Sequence, residues 1–208
     1  MKLSEETISI STEEKIKEAA RKVFIHKGFS GARTRDIAEE AGINLALLNY
    51  YFRSKENLFG IIMLESLQSF VESIKSVINN HETSIEEKIE KIVENYIAML
   101  SIQPDLPVFI INEIRTNPEG LVEKIKLSET FQKSYLLQQI QEGIAQGKYI
   151  KIHPTHIILN ILSLTIFPFV AKPLVSKVLS VDDSNFMEFM NQRKKLIPEW
   201  IMSQLQTK

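Results

Sequence analysis

The stretch Thr34 to Lys55, TRDIAEEAGINLALLNYYFRSK, restricts the fold of this chain more than any other. Helix start and stop signals follow one another there too closely for anything but two short helices and a tight turn. Thr34 has a hydroxyl that can accept from an unpaired amide of a first helical turn. Ile37, Ala38 and Ala41 recur three and four apart, as one apolar helix face requires. Gly42 follows the last of them, where a left-handed backbone closes a helix at little cost. Ile43 fills the joint. Asn44 caps a second helix through Leu48 to about Phe52, and Ser54 caps a third start at Lys55. A helix, a glycine turn and a second short helix form the helix-turn-helix pattern, whose second helix lies in the DNA major groove.

Upstream, Ser11-x-x-Glu14 is a capping-box spacing, and Ile16, Ala19, Ala20, Val23 and Phe24 form a buried stripe. Lys27-Gly28-Phe29 ends that helix, with glycine in the stopping position, and residues 1 to 10 read as a loose arm. With Thr34, Ile37-Ala38, Ala41-Gly42-Ile43, Tyr50-Tyr51-Phe52, Ser54-Lys55-Glu56 and Leu58, this pattern resembles the signature of the tetracycline-repressor (TetR) family of bacterial transcription regulators. The specific resemblance covers about the first 60 residues; the remainder is similar in length and helical character.

The charge distribution agrees with a DNA-binding end. The 208-residue chain has a net charge of −1. From Lys15 to Lys55, however, nine cations (Lys15, Lys17, Arg21, Lys22, Lys27, Arg33, Arg35, Arg53, Lys55) face four acids (Glu18, Asp36, Glu39, Glu40). A basic module on a mildly acidic body suits nucleic-acid binding by one end; a solvated helix surface gives the same pattern. DNA affinity comes mostly from phosphate contacts and sequence choice from base edges. The N-terminal residues of the second helix reach the bases, which makes Leu45, Ala46 and Asn49 the candidates, with Leu47 open between groove and core and Leu48 in the core. By the resemblance, one of Tyr50 and Tyr51 donates to a phosphate; Tyr50 has packing against the first helix equally open to it. Thr34, Lys55, Arg33 and Arg35 are candidate phosphate contacts, and Asn44 caps the helix. The family often has serine at the position of Asn44, glycine at Ala46, threonine at Leu47 and histidine at Tyr51. This second helix is therefore more apolar than usual.

Beyond Lys55 the pattern is helical throughout. Leu58, Phe59, Ile62, Met63, Leu67, Phe70, Val71, Ile74 and Ile78 predict one long helix to about Asn79. Ser84-x-x-Glu87 opens the next, with Ile85, Ile89, Ile92, Val93, Tyr96, Ile97 and Leu100 on its face. Pro104 and Pro107 break the chain, Val108 to Thr116 is a short helix closed by Asn117-Pro118, and Glu119 to Gln146 is helical with an interruption near Lys126-Leu127-Ser128. Gly147 ends it. A helix from His156 to about Val170 is kinked or ended by Pro168, and one capped within Asp182 to Asn185 reaches Leu205 with Pro198 interrupting it. No strand pattern stands out. The expectation is an all-α chain of about nine or ten helices, with a helix-turn-helix domain over 1-56 and a helical ligand-binding and dimerisation domain over 57-208.

What the C-terminal part does follows from the resemblance: a homodimer formed through the last two long helices, and a small-molecule effector that acts on a palindromic double-stranded operator through the long fourth helix. The favoured role is that of a repressor. Met63, Leu67, Phe70, Tyr96, Phe109, Asn112, Glu113, Tyr135 and Phe167 are candidate pocket residues, each also readable as ordinary core. An apolar pocket with few polar groups is the default for such sites, so the effector is expected to be hydrophobic.

Two rival classes were weighed: a helical interaction protein without DNA binding, and an enzyme whose site is assembled in the C-terminal helices. Cysteine is absent, which removes disulfide and thiolate chemistry and fits a reducing cytoplasm. His153-x-x-His156 is the one histidine pair with metal-like spacing, and Pro154 with no acidic cluster nearby favours a cap or surface role. No nucleophile-elbow, phosphate-loop or H-E-x-x-H motif is present. The expectations are therefore no enzyme, no cofactor and no metal. Residues 1 to 11 lack an apolar leader pattern. The apolar run Ile157 to Ala171 is broken by polar residues and Pro168 and falls short of the roughly 20 residues that span a bilayer. A cytoplasmic protein without a membrane span is expected.

Overall fold

The structure, a computed structural model, describes residues 11–125 and 131–206. The arm expected at 1–10 and the break expected near Lys126-Leu127-Ser128 lie outside those residues. The chain divides into two compact units, Met1–Glu65 and Ser66–Lys208. Among the described residues there are eleven helices and no strand; one isolated bridge joins Tyr149 to Gln206. The fold is all-α.

The N-terminal unit holds α1 (Thr12–Gly31), α2 (Thr34–Glu40), α3 (Leu45–Phe52) and the first turns of α4 (Lys55–Ile78). Ser11 opens α1 by accepting from the Glu14 amide. Gly28 breaks its last part with φ 66°, and the chain makes one more turn to Gly31. Gly42, at φ 65°, turns α2 toward α3 in a backbone region costly for a side chain bearing Cβ. Asn44 then accepts from the Leu47 amide at 2.8 Å and starts α3. The shared core contains Ile16, Ala20, Phe24, Ile37, Ala38, Leu48, Phe52, Leu58 and Ile62. The rings of Phe24, Phe29 and Phe59 meet with centroids 4.6–6.2 Å apart. Burying one such side chain contributes about 1.5–3 kcal/mol.

The C-terminal unit holds the rest of α4, then α5 (Ile85–Ile102), α6 (Leu106–Thr116), α7 (Pro118–Ile125), α8 (Tyr135–Ala145), α9 (Thr155–Val170), α10 (Lys172–Val178) and α11 (Asp183–Leu205). Both halves of the capping box at α5 form: Ser84 accepts from the Glu87 amide at 3.2 Å, and Glu87 accepts from the Ser84 amide at 2.7 Å. Helix α11 packs along α5. Their buried faces carry Ile85, Ile89, Val93, Ile97 and Leu100 on one side and Phe186, Met190, Ile197, Ile201 and Leu205 on the other.

Three features depart from the sequence reading. The helix expected over 119–146 is broken at Ser134, which starts α8 by accepting from the Leu137 amide. Helix α10 had no sequence signal. Neither proline stops its helix: Pro198 lies inside α11, and α9 continues past Pro168 to Val170 before the chain turns by 65° into α10. Proline at 168 has no N–H for the Leu164 carbonyl one turn back. The Arg193 guanidinium of α11 donates to that carbonyl instead, at 2.9 Å.

Replacing Arg193 with methionine would keep much of the bulk and remove this donor. The expected cost is about 1–3 kcal/mol, the penalty for a buried unpaired carbonyl, read by chemical denaturation. An unchanged unfolding free energy would refute the compensation.

Candidate nucleic-acid interface and effector cavity

Helix α3 has a buried and an open side. Leu48 and Phe52 are sealed, whereas Asn44, Ala46, Asn49 and Tyr51 are exposed and Tyr50 is 80% exposed. Leu45 and Leu47 are half-buried. Exposure at this level shows that Tyr50 does not pack against α1. Its ring stands edge-on to Tyr51, with centroids 5.4 Å apart. Arg53, exposed and at φ 62°, follows directly. The sequence reading counted it as charge only; its place just after the second helix was the available signal.

Two capping assignments need correction. Thr34 is the first residue of α2 and not its cap. The cap position is Arg33, whose amide donates to the Asp36 carboxylate at 3.2 Å. An acid three residues into the helix answers the free amide from inside, so the Thr34 hydroxyl is not needed there. Asp36 also pairs with Lys27 at 2.9 Å. The Lys27 ammonium, then the Arg33 amide, hold its carboxyl below the usual carboxylate range. Lys55 was expected at a DNA phosphate. Its ammonium donates instead to the carbonyls of Phe29 and Ala32, at 2.9 and 3.0 Å, and lies 4.3 Å from the centre of the Phe29 ring. Two of its three donors are thus spent fastening the end of α1 to the start of α4.

The local excess of positive charge is also smaller than the residue count implies. Lys17 pairs with Glu14 and Glu65, Arg21 with Glu65, Lys22 with Glu40, and Lys27 with Asp36. Among the described residues, Arg33, Arg35 and Arg53 form no ion pair with a carboxylate and are all exposed. They flank α2 and α3, so what positive charge remains unpaired lies beside the helix-turn-helix.

The C-terminal unit contains a cavity of about 350 Å³ between α4, α5, α7, α8 and α9. Its wall is apolar, with Val71, Ile74, Ile92, Ile140, Ile157 and Ile161 among the lining residues, and no charged side chain among the described residues lines it. Phe70 and Tyr96, both sequence candidates, are in the wall, their rings 4.2 Å apart edge to face. The Tyr96 hydroxyl has no hydrogen-bond partner, and burial pushes its pKa up.

The other pocket candidates are elsewhere. Met63 and Leu67 are packed into the buried stripe of α4. Phe109, Asn112 and Glu113 belong to α6, which buries only Leu106 and Pro107 and contributes nothing to the wall. Tyr135 stacks on His81 at 4.0 Å, with the Lys88 ammonium 5.2 Å from its ring. Phe167 is 64% exposed and opens on a separate hollow with Leu164, Phe189, Arg193 and Leu196. Sequence reasoning placed most of the true wall in ordinary core, because a cavity lined by Ile and Leu has the periodicity of packed core. His153 accepts from the Thr155 amide at the start of α9, and no group of metal-ligating side chains exists among the described residues. No single helix among them is long and apolar enough to cross a membrane.

Comparison with known proteins adds to this geometry. Residues 16–60 match the family profile of bacterial regulatory proteins, tetR family, and residues 63–198 that of the YsiA-like protein C-terminal region. The chain is 29% identical over 174 residues to the probable HTH-type transcriptional regulator YttP of Bacillus subtilis (strain 168), covering 83% of this chain and 84% of the relative. It is 24% identical over 131 residues to the fatty acid metabolism regulator protein of the same organism, covering 63% and 67% respectively. The solved structure of the transcriptional regulator FadR from Bacillus subtilis in complex with stearoyl-CoA is similar in fold. It matches with a TM-score of 0.58 and 19% identity over 91% of this chain and 97% of that one.

Two measurements test the local assignments. Lys55→Met should lower the unfolding free energy by about 1–3 kcal/mol, because two buried carbonyls lose a charged donor; a loss of DNA affinity without a loss of stability would instead favour a phosphate role. Asp36 has a lowered pKa in the fold. Its contribution is therefore complete above the pKa it has when unfolded and disappears as pH falls through the folded value. Asp36→Asn should flatten the acid side of the stability–pH curve, and an unchanged curve would exclude this carboxylate as its source.

Proposed function

The chain belongs to the TetR family of bacterial regulatory proteins, and from that premise we propose that it binds a palindromic operator as a homodimer, represses there, and is released by a small hydrophobic effector. It is a transcriptional regulator with a helix-turn-helix, and the helical part that follows carries effector and partner. The observation that carries the DNA-binding reading is the open side of α3. Ala46, Asn49 and Tyr50 stay in solvent while Leu48 and Phe52 hold the helix down. Asn49 can pair bidentately with adenine, and Ala46 and Leu45 suit a thymine methyl. Tyr50, Tyr51, Arg33 and Arg35 are assigned to phosphates, with Thr34 at the start of α2. Leu47 is assigned to the rim between core and groove. Lys55 acts mainly by fixing α4, and Asn44 by capping α3.

Exposed Leu159 and Phe167 on α9 and Phe189, Leu196 and Trp200 on α11 supply the apolar surface for a second copy. Two recognition helices then need a separation of roughly 34–36 Å to enter successive major grooves. An effector in the cavity acts only through its differential affinity for the DNA-binding and released states. Phe70, Val71 and Ile74 of the wall belong to α4, the helix that Lys55 begins. The stearoyl-CoA bound by the FadR structure and the fatty-acid role of the second relative support an effector with an apolar chain. Operator binding places the working protein in the cytoplasm.

Selection of bound DNA from a random pool should enrich an inverted repeat. Asn49→Ala should relax choice at particular bases, and Arg35→Ala should reduce the salt slope of binding by about one. Failure to enrich any sequence at low salt, with folded protein, would overturn the DNA-binding reading. Equal operator affinity with and without a bound effector would overturn the release mechanism.

A further inference from the structure

The cavity in the C-terminal unit has one polar group with nothing to bond. Its wall is aliphatic and aromatic, with Ile74, Ile92, Leu137, Ile140 and Ile161 among its residues. Ser134, also in the wall, already donates to the Phe131 carbonyl at 2.9 Å and accepts from the Leu137 amide. Gln132 is exposed. Tyr96 differs, because its hydroxyl is buried and unpartnered. A buried hydroxyl without a partner is costly, so a ligand that supplies one recovers that cost on binding.

We propose that this cavity takes an uncharged carbonyl compound on an apolar chain, with the Tyr96 hydroxyl donating to the carbonyl oxygen. The proposal rests on the reading of the cavity as the effector site and adds the chemistry of its occupant. The phenol stays protonated across neutral pH, since burial raises its pKa, so it serves as a donor. A carbonyl only accepts, which leaves no ligand group unpaired. An alcohol that accepted from Tyr96 would bring a donor of its own, for which the wall has no free acceptor. A carboxylate would enter ionised, with one donor to meet it and no cation in the wall. Stripping the water from such a charge costs far more than one hydrogen bond restores. An ammonium meets the same obstacle, since no carboxylate lines the cavity. Esters, thioesters and amides share the required chemistry, and any larger polar group attached to the carbonyl has to stay outside the apolar wall.

Calorimetry on the full chain without DNA tests this, with methyl decanoate, its S-methyl thioester analogue, decanoate and decane as probes. At pH 7 the ester or the thioester should bind at least about tenfold more tightly than decanoate, because only the acid is ionised. Whichever of the two binds more tightly identifies the carbonyl source. Tyr96→Phe should weaken the carbonyl ligands by about threefold to tenfold, the worth of one hydrogen bond, and leave decane unchanged. The ratio between ester and decane guards against a general change in the cavity, and the variant should melt no lower than the wild type, since the hydroxyl it loses bonds to nothing. Decanoate binding as tightly as the ester, an equal loss for ester and decane, or no binding of any probe would overturn the proposal. Operator binding by the ligand-free chain is read in parallel. If it persists while every probe fails, the occupant is wrong and the regulator reading stands. If it is absent while Tyr96 still discriminates the ester, the reverse holds.

Discussion

Each helix leaves four amides without an intrahelical partner at its start and four carbonyls at its end. A chain of short helices multiplies these ends, and here side chains answer many of them. Ser11, Asn44, Ser54, Ser84, Ser134 and Asp182 each accept from an amide of the first turn that follows. Carbonyls are harder to satisfy, because they need donors, and the long cations supply those from other helices. Lys55 reaches the end of α1, and Arg193 reaches the carbonyl that Pro168 leaves open in α9. Each ties two helices together, so satisfying the backbone also fixes which helix lies beside which.

The two units apply opposite chemistry to recognition. In the N-terminal unit most cations are consumed internally, and those left over lie beside an exposed helix face. This economy favours a short, directed contact with phosphates over general attraction, and it fits a chain whose overall charge is almost nil. In the C-terminal unit recognition is by exclusion. A wall without charge admits apolar matter and penalises ions, and a single hydroxyl sets orientation. The polar face reads a long anionic polymer, while the apolar cavity suits a ligand that leaves water readily.

The helix-turn-helix was legible because its signals are local. Gly42 needs its left-handed backbone, Asn44 its amide partner and Ile37 its burial, and each shows within a few residues. The stripe of α4 was legible for the same reason, over many turns. Thr34 misled because Asp36, two residues on, competes for the same capping task, and sequence does not rank the two. The break at Ser134 escaped notice because the apolar period continues on both sides of it. Phe167 and Ile161 illustrate the limit at the cavity. Both are large apolar residues on α9, but they lie on different sides of it, and only the packing of α4, α5 and α8 decides which side encloses space. Arg193 carried no sequence signal at all, since its partner is a backbone carbonyl on another helix. Pro168 showed that a hydrogen bond would be lost, but not where a substitute would come from.

The stacking of Arg193 over the indole of Trp200, with its guanidinium carbon 5.3 Å from the ring, has a spectroscopic consequence. Trp200 is the chain's single tryptophan and is 38% exposed. Red-edge ultraviolet excitation therefore addresses one chromophore, on the α11 surface assigned above to a second copy. As that surface is covered, the indole passes from water into protein and its emission moves to shorter wavelength. Subunit association thus has an optical signature native to the chain, without a label and without a second tryptophan to obscure it.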